Sequence, residues 1–161
     1  MPQQIVDWLM EPSSLTLRIK NTFSAPFSVE VKGQGLAKPF LADAQCLGQP
    51  PYQHALIREV LLKVDDVSFV FARTTLPRKT AHSLQELTHL GNKPLGEVIF
   101  GYPNLKRVGL DFAKVDMRTL NNEIQPLLNG EPHLWARRNT YQINKRVFLV
   151  SEFFLPALFN V

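Results

Sequence analysis

Three charged side chains, Arg58, Arg73 and Glu152, stand in stretches of the chain that are otherwise apolar. A charge is costly to bury without a partner or a ligand, so each marks a place where chemistry is expected. Glu152 lies in the run Arg146–Pro156, which is long enough to cross a sheet. Period-2 alternation puts Phe148, Val150, Glu152 and Phe154 on one face, and Val147, Leu149, Ser151, Phe153 and Leu155 on the other. Both faces are apolar, so the run reads as a central strand covered on both sides. Arg58 and Arg73 fall in a hairpin pattern, residues 54–64 and 67–77 about Asp65-Asp66. A symmetric turn sets Leu62 opposite Phe69, Val60 opposite Phe71 and Arg58 opposite Arg73. Like charges so placed destabilise a sheet by roughly 0.2–1 kcal/mol. An anion between them reverses the sign, because the guanidinium fork suits a carboxylate. The other readings are that both arginines reach out at a sheet edge, or that they pair with carboxylates such as Glu152. Glu152 also has a structural partner within reach. A two-residue turn at Asn144-Lys145 sets Arg137 across from it, and a three-residue turn sets Arg138 there.

Other chemistries have less behind them. His54, His82, His89 and His133 are scattered and show no metal-ligand spacing. There is no Gly-x-Ser-x-Gly elbow, phosphate loop or dinucleotide fingerprint, and Gly33-Gln-Gly35 reads as turn chemistry. Cys46 is the single cysteine, which fits a reducing cytoplasm and no internal disulfide. A formal net charge of +4 and a pI near 9.4 would suit nucleic acid, but the basic residues are spread along the chain and form no nucleic-acid motif. A small carboxylate suits that charge equally well. What remains is a buried anion site with one carboxylate, and neither a metal nor another cofactor is expected.

The elements that must position these residues are legible in outline. The 161 residues make one domain, 1–161, large enough for a core of its own. No apolar run approaches the ~20 residues of a membrane helix, and the first residues lack a signal-peptide layout, so a cytoplasmic protein is expected. The pattern predicts a helix over 15–23 capped by Ser13 or Ser14, a strand over 27–32 ended by Gly33, and loop through residue 51. Beyond the hairpin it predicts a helix over 80–90 stopped by Gly91, a turn or helix start at 94–100, a strand over 105–115, and a helix over 116–128 interrupted by Pro126. Strands 134–143 and 146–155 close the chain. Strands in adjacent pairs with a few helices between them argue for an α+β fold with an antiparallel sheet.

Several segments, in order over nearly the whole chain, resemble the bacterial chorismate pyruvate-lyase family, whose reaction opens ubiquinone biosynthesis. They are Asp7-Trp-Leu9, Leu15 with Arg18, Arg58-Glu-Val-Leu-Leu62, Ala72-Arg-Thr-Thr-Leu-Pro77, Leu90-Gly-Asn-Lys-Pro-Leu-Gly96, Trp135-Ala-Arg-Arg138 and Ser151-Glu-Phe-Phe-Leu-Pro-Ala157. The resemblance implies a six-stranded antiparallel sheet with flanking helices, enclosing an aromatic product beneath flap-like segments. It implies conversion of chorismate to 4-hydroxybenzoate and pyruvate without a cofactor, by a monomer that takes no nucleic acid partner. Carried onto this chain, it implies that Arg58 and the backbone N–H of Leu15 hold the ring carboxylate, and that Glu152 and the backbone of Leu95 meet the 4-hydroxyl. Arg73 would take the enolpyruvyl carboxylate. Arg58 and Glu152 are thus the expected catalytic pair. Two departures from the family's form are Leu15, where Met is expected, and a longer connection between Phe100 and Trp135. The family also looks similar in fold to ligand-sensing domains of transcription regulators, so a non-catalytic domain that binds small aromatic acids is the alternative.

Overall fold

Alternating apolar segments dominate the chain, and in a computed structural model describing residues 2–118, 120 and 122–160 they form one six-stranded antiparallel sheet. The strands are β1 (Phe27–Ala37), β2 (Ala55–Val64), β3 (Val67–Pro77), β4 (Leu105–Asp116), β5 (His133–Ile143) and β6 (Arg146–Phe154), in the spatial order β1-β2-β3-β6-β5-β4. β6 lies between β3 and β5 in the middle of the sheet, where packed layers cover both its faces, as its largely apolar run requires. The hairpins β2–β3 and β5–β6 turn through Asp65 (φ 52°) and Asn144 (φ 57°), residue types that tolerate the left-handed region. Among the described residues five short α-helices flank the sheet: α1 (Gln3–Leu9), α2 (Leu15–Thr22), α3 (Leu41–Leu47), α4 (Arg78–Ser83) and α5 (Leu95–Ile99). The Ser14 hydroxyl caps α2 by accepting from the Leu17 N–H at 3.3 Å. Among the described residues no helix is long and apolar enough to cross a membrane.

The sheet's two faces are packed separately. One carries two apolar clusters: Trp8, Leu9, Leu15 and Ile19 of α1 and α2 against Val60, Ala72 and Phe154, and Leu87, Val98 and Ile99 against Leu76, Phe148 and Val150. The opposite face packs Leu61, Phe71 and Phe153 against Met117, Ile124 and Leu128. On the first face, where its two clusters meet, lie the buried polar side chains of Arg58, Thr74, Arg137, Asn139 and Glu152.

The register of β2–β3 differs from the symmetric expectation. A bulge leaves Phe69 without a partner across the ladder, so Lys63 faces Ser68 while Leu62 faces Val70. Beyond it every pairing has moved by one, setting Arg58 opposite Thr74 and Glu59 opposite Arg73. The cause is packing, since both Phe69 and Val70 enter the cluster beneath α2, with the Phe69 ring 4.8 Å from that of Phe23. A one-residue slip sends every later side chain to the other face. Arg73 therefore points away from Arg58, and the expected pair of arginines side by side does not exist.

Four smaller expectations are corrected. β1 runs on through Gly33 and Gly35 to Ala37, and α3 occupies part of the stretch expected to be loop. The helix expected over 80–90 is α4 followed by a separate 3-10 turn, Gln85–Thr88. Of the helix expected over 116–128, Thr119 and Asn121 lie outside the described residues, Asp116 is the last residue of β4, and Asn122–Leu128 is a 3-10 helix, consistent with Pro126 lacking an N–H to donate.

Candidate active site

Two helix starts close over the polar strip and make it a pocket. Leu15 is the first residue of α2 and Leu95 the first of α5, and the N–H groups at a helix start have no intrahelical acceptor. Both residues line one cavity with Arg58, Thr74, Tyr141 and Glu152. The two covers meet at Gly96, where a Cβ would lie 2.9 Å from the Ser14 hydroxyl oxygen. An ion pair between Lys20 and Glu97 bridges them on the outside. The enclosed space is about 50 Å³, whereas an apolar cavity that takes benzene is roughly 150 Å³. The covers must therefore move outward to admit a ring.

At one end Glu152, 7% exposed, faces the cavity from the centre of β6. The two-residue turn of the β5–β6 hairpin sets Arg137 directly across from it, which decides between the two arginines in that arginine's favour. Arg137 Nε donates to Glu152 Oε1 at 2.6 Å, and Asn139 Nδ2 donates to the same oxygen at 2.8 Å. Among the described residues no hydrogen bond reaches Oε2, so that oxygen is left as an acceptor for whatever enters. The Tyr141 phenol stands in the same region. Burial, reinforced by the Glu152 charge, pushes its pKa up to about 12, so it stays a neutral donor.

Arg58 stands three strands away from Arg137, in β2. It is 4% exposed, and burial lowers its pKa. Its Nη1 donates to Gly91 O at 2.7 Å and to Gln34 Oε1 at 3.4 Å, and its Nη2 donates to Lys93 O at 3.1 Å. All of these acceptors are neutral. No carboxylate lies within ion-pair distance of Arg58 among the described residues, unlike Arg137 with Glu152 and Arg73 with Glu59. A buried guanidinium without a countercharge is a ready site for a carboxylate, which it can hold with two parallel hydrogen bonds. From β2 to β6 is two strand spacings, roughly 10 Å.

The sequence placed five residues in the site, and the cavity gathers four of them: Leu15, Arg58, Leu95 and Glu152. Arg73 is on the other face. It pairs with Glu59 at 2.8 Å and lies under the Phe40 ring, its guanidinium carbon 3.9 Å from the ring centroid. Asn139 and Tyr141 went unnoticed in the sequence, although period-2 alternation puts them on the same face of β5 as Arg137. Ser14 and Thr16, which flank Leu15 in the cavity wall, carried no signal beyond capping.

Known proteins resemble this chain in sequence and in fold. A family model described as chorismate lyase matches residues 1–161. A probable chorismate pyruvate-lyase of Methylococcus capsulatus is 38% identical over 155 residues, covering 96% of each chain. One of Dechloromonas aromatica is 37% identical over 153 residues, covering 94% of this chain and 86% of its own. Among solved structures, the C-terminal domain of the histidine utilization repressor from Pseudomonas syringae pv. tomato superposes with a TM-score of 0.62 at 10% identity, over 82% of this chain and 93% of its own. The effector domain of PhnF from Mycobacterium smegmatis does so at 0.57 and 15%, over 90% of both chains. Those two likenesses concern the fold alone. With the match spanning the whole length and relatives above one-third identity, the chain belongs to the chorismate lyase family.

Proposed function

We propose that this chain converts chorismate to 4-hydroxybenzoate and pyruvate, the step that supplies the ring of ubiquinone. The observation that carries the reading is Arg58, a buried cation whose acceptors are all neutral, lining the same closed cavity as a carboxylate with one free oxygen. Chorismate presents a ring carboxylate for Arg58 and the Leu15 N–H, and a 4-hydroxyl for Glu152 Oε2 and the Leu95 backbone. With both ends held, the enolpyruvyl ether is fixed beside the C4 hydrogen. As the C3–O bond breaks, that hydrogen passes to the methylene carbon of the enolpyruvyl group. Pyruvate is released, and the ring is left aromatic with its hydroxyl intact. The step is redox-neutral and strongly downhill, so the protein's part is orientation and stabilisation of charge on the departing oxygen.

In this scheme Glu152 orients the substrate and need not take a proton. Turnover in Glu152→Gln within about tenfold of the parent supports orientation, whereas a loss of 10²–10⁴-fold, typical of a missing general base, would reinstate that role. The primary test is to incubate the purified chain with chorismate and quantify both products. Equimolar 4-hydroxybenzoate and pyruvate, lost in Arg58→Ala, is the expected result. Saturable binding of 4-hydroxybenzoate without turnover would instead identify a binding domain of the same fold.

A further inference from the structure

Arg137 is 1% exposed and has a second set of partners that points away from the cavity. Its Nη1 donates to Glu11 O at 2.6 Å and to Leu9 O at 3.3 Å. Leu9 ends α1, where carbonyls have no intrahelical donor and carry the partial negative charge of the helix terminus. Four residues beyond Glu11 the chain enters α2, the first cover. Arg107 on β4 reaches the same Glu11 O at 3.3 Å and donates to Asn139 Oδ1 at 3.4 Å. The contacts close on themselves. From Glu152 Oε1 they pass through Arg137 to Glu11 O, through Arg107 to Asn139, and back to Glu152 Oε1.

Such a ring is stiff. The guanidinium is planar, so Nε cannot follow a turn of the Glu152 carboxylate without carrying Nη1 off the two carbonyls. Each member is buried or half-buried, where a hydrogen bond is strong and a missing one costly. The ring has two openings: Glu152 Oε2 toward the cavity, and the segment Leu9–Glu11 toward the cover.

We infer that Arg137 and Asn139 are positioning residues that couple the occupancy of Glu152 to closure of the first cover. A para-hydroxy aromatic acid, by donating to Oε2, fixes the carboxylate, and through Arg137 fixes the base of α2. The same acid without its hydroxyl binds Arg58 equally but leaves the cover free. Coupling of this kind is reciprocal, so a closed cover also strengthens the hold on the hydroxyl. The inference rests on the proposed use of Arg58 and Glu152 as the two ends of the site. It adds a reason for the hydroxylated product to be held longer than its size alone requires.

The test compares dwell times of 4-hydroxybenzoate and benzoate by stopped-flow displacement, with amide hydrogen exchange over residues 15–22 as a direct reading of the cover. In the unaltered chain 4-hydroxybenzoate should stay at least about tenfold longer than benzoate and protect those amides more, within the usual range of coupling factors. In Arg137→Lys and Asn139→Ser the ratio should fall to within about threefold and the extra protection should vanish, with the benzoate dwell nearly unchanged. Asn139→Ser keeps a small polar side chain and serves should Arg137→Lys not fold. A ratio that persists in the folded variants overturns the coupling, and so does equal shortening of both dwell times. Turnover of chorismate by an unaltered chain whose ratio is near one sinks the coupling alone. The coupling without turnover sinks the lyase reading alone.

Discussion

Arg58 and Arg137 are close to a controlled comparison within one molecule. Both are buried, at 4% and 1% exposure, on the same face of the sheet. Both donate to main-chain carbonyls at the base of a cover, Arg58 to Gly91 and Lys93 ahead of α5 and Arg137 to Leu9 and Glu11 ahead of α2. They differ in countercharge, since Arg137 holds Glu152 while every acceptor of Arg58 is neutral. Removing one partner of a buried ion pair strands the other. Removing a buried charge that had no opposite number takes away its desolvation penalty along with its hydrogen bonds. The same residue type at the same depth is thus a structural pin in one place and a binding site held open in the other.

The largest expected effect tests that division directly. Arg137→Met leaves the Glu152 charge stranded and should cost roughly 3–5 kcal/mol in urea unfolding, whereas Arg58→Met should cost less than about 1 kcal/mol. Equal losses would break the comparison. Ligand binding should invert the order. Arg58→Met should weaken 4-hydroxybenzoate on the order of a hundredfold by titration calorimetry, whereas Arg73→Met, on the far face, should change it less than about threefold. A matching loss at Arg73 would return that residue to the site.

Smaller effects sharpen the picture of the covers and of the site's polar end. Gly96→Ala puts a methyl group 2.9 Å from the Ser14 oxygen and should push the covers apart. Overpacking of this size costs about 1–3 kcal/mol, so product release measured by stopped flow should quicken about tenfold or more. Unchanged release would mean that the covers do not part at this contact. Tyr141 gives the smallest effect. Its phenol is raised from near 10 to about 12, so the stability it contributes is complete below pH 10 and is lost as the pH rises from 10 to 12, where the unfolded chain ionises first. Tyr141→Phe should flatten thermal stability over that interval by about 1–2 kcal/mol and leave it alone at pH 7.

The strands were legible because their alternation is strong, and β6 could be placed centrally because both of its faces are apolar. What hid the register of β3 was that same double-sided character. Phe69, Val70 and Phe71 are all apolar, so nothing in the pattern says which of them is the extra residue. Arg73 was therefore assigned to the wrong face. The pairing of Glu152 depended on whether the Asn144-Lys145 turn held two residues or three, and Asn144 at φ 57° settles it for Arg137. α3 was missed because seven residues among prolines and glycines carry little periodicity. β1 was cut short at Gly33 and Gly35 because glycine usually ends a strand, yet at these positions nothing lies within 4 Å of an added Cβ. The site's hydrogen-bond ring joins residues as far apart in sequence as Glu11 and Glu152, and no local pattern records such a meeting.

The bulge at Phe69 has a consequence for how this site can be altered. β3 changes parity at that point: up to Phe69 the odd-numbered residues face the cavity side, and from Val70 onward the even-numbered ones do. Pairing the same residues without the bulge, with Phe69 opposite Leu62, would exchange two inventories in a single step, bringing Phe71, Arg73 and Thr75 round to the cavity and sending Val70, Ala72 and Thr74 behind the sheet. A second cation would then stand beside Arg58, in place of a small apolar and hydroxylic wall. Single substitutions reach such an arrangement only through several unfavourable intermediates. For this fold, where one strand carries its extra residue is as strong a determinant of what the pocket can hold as the identity of any residue lining it.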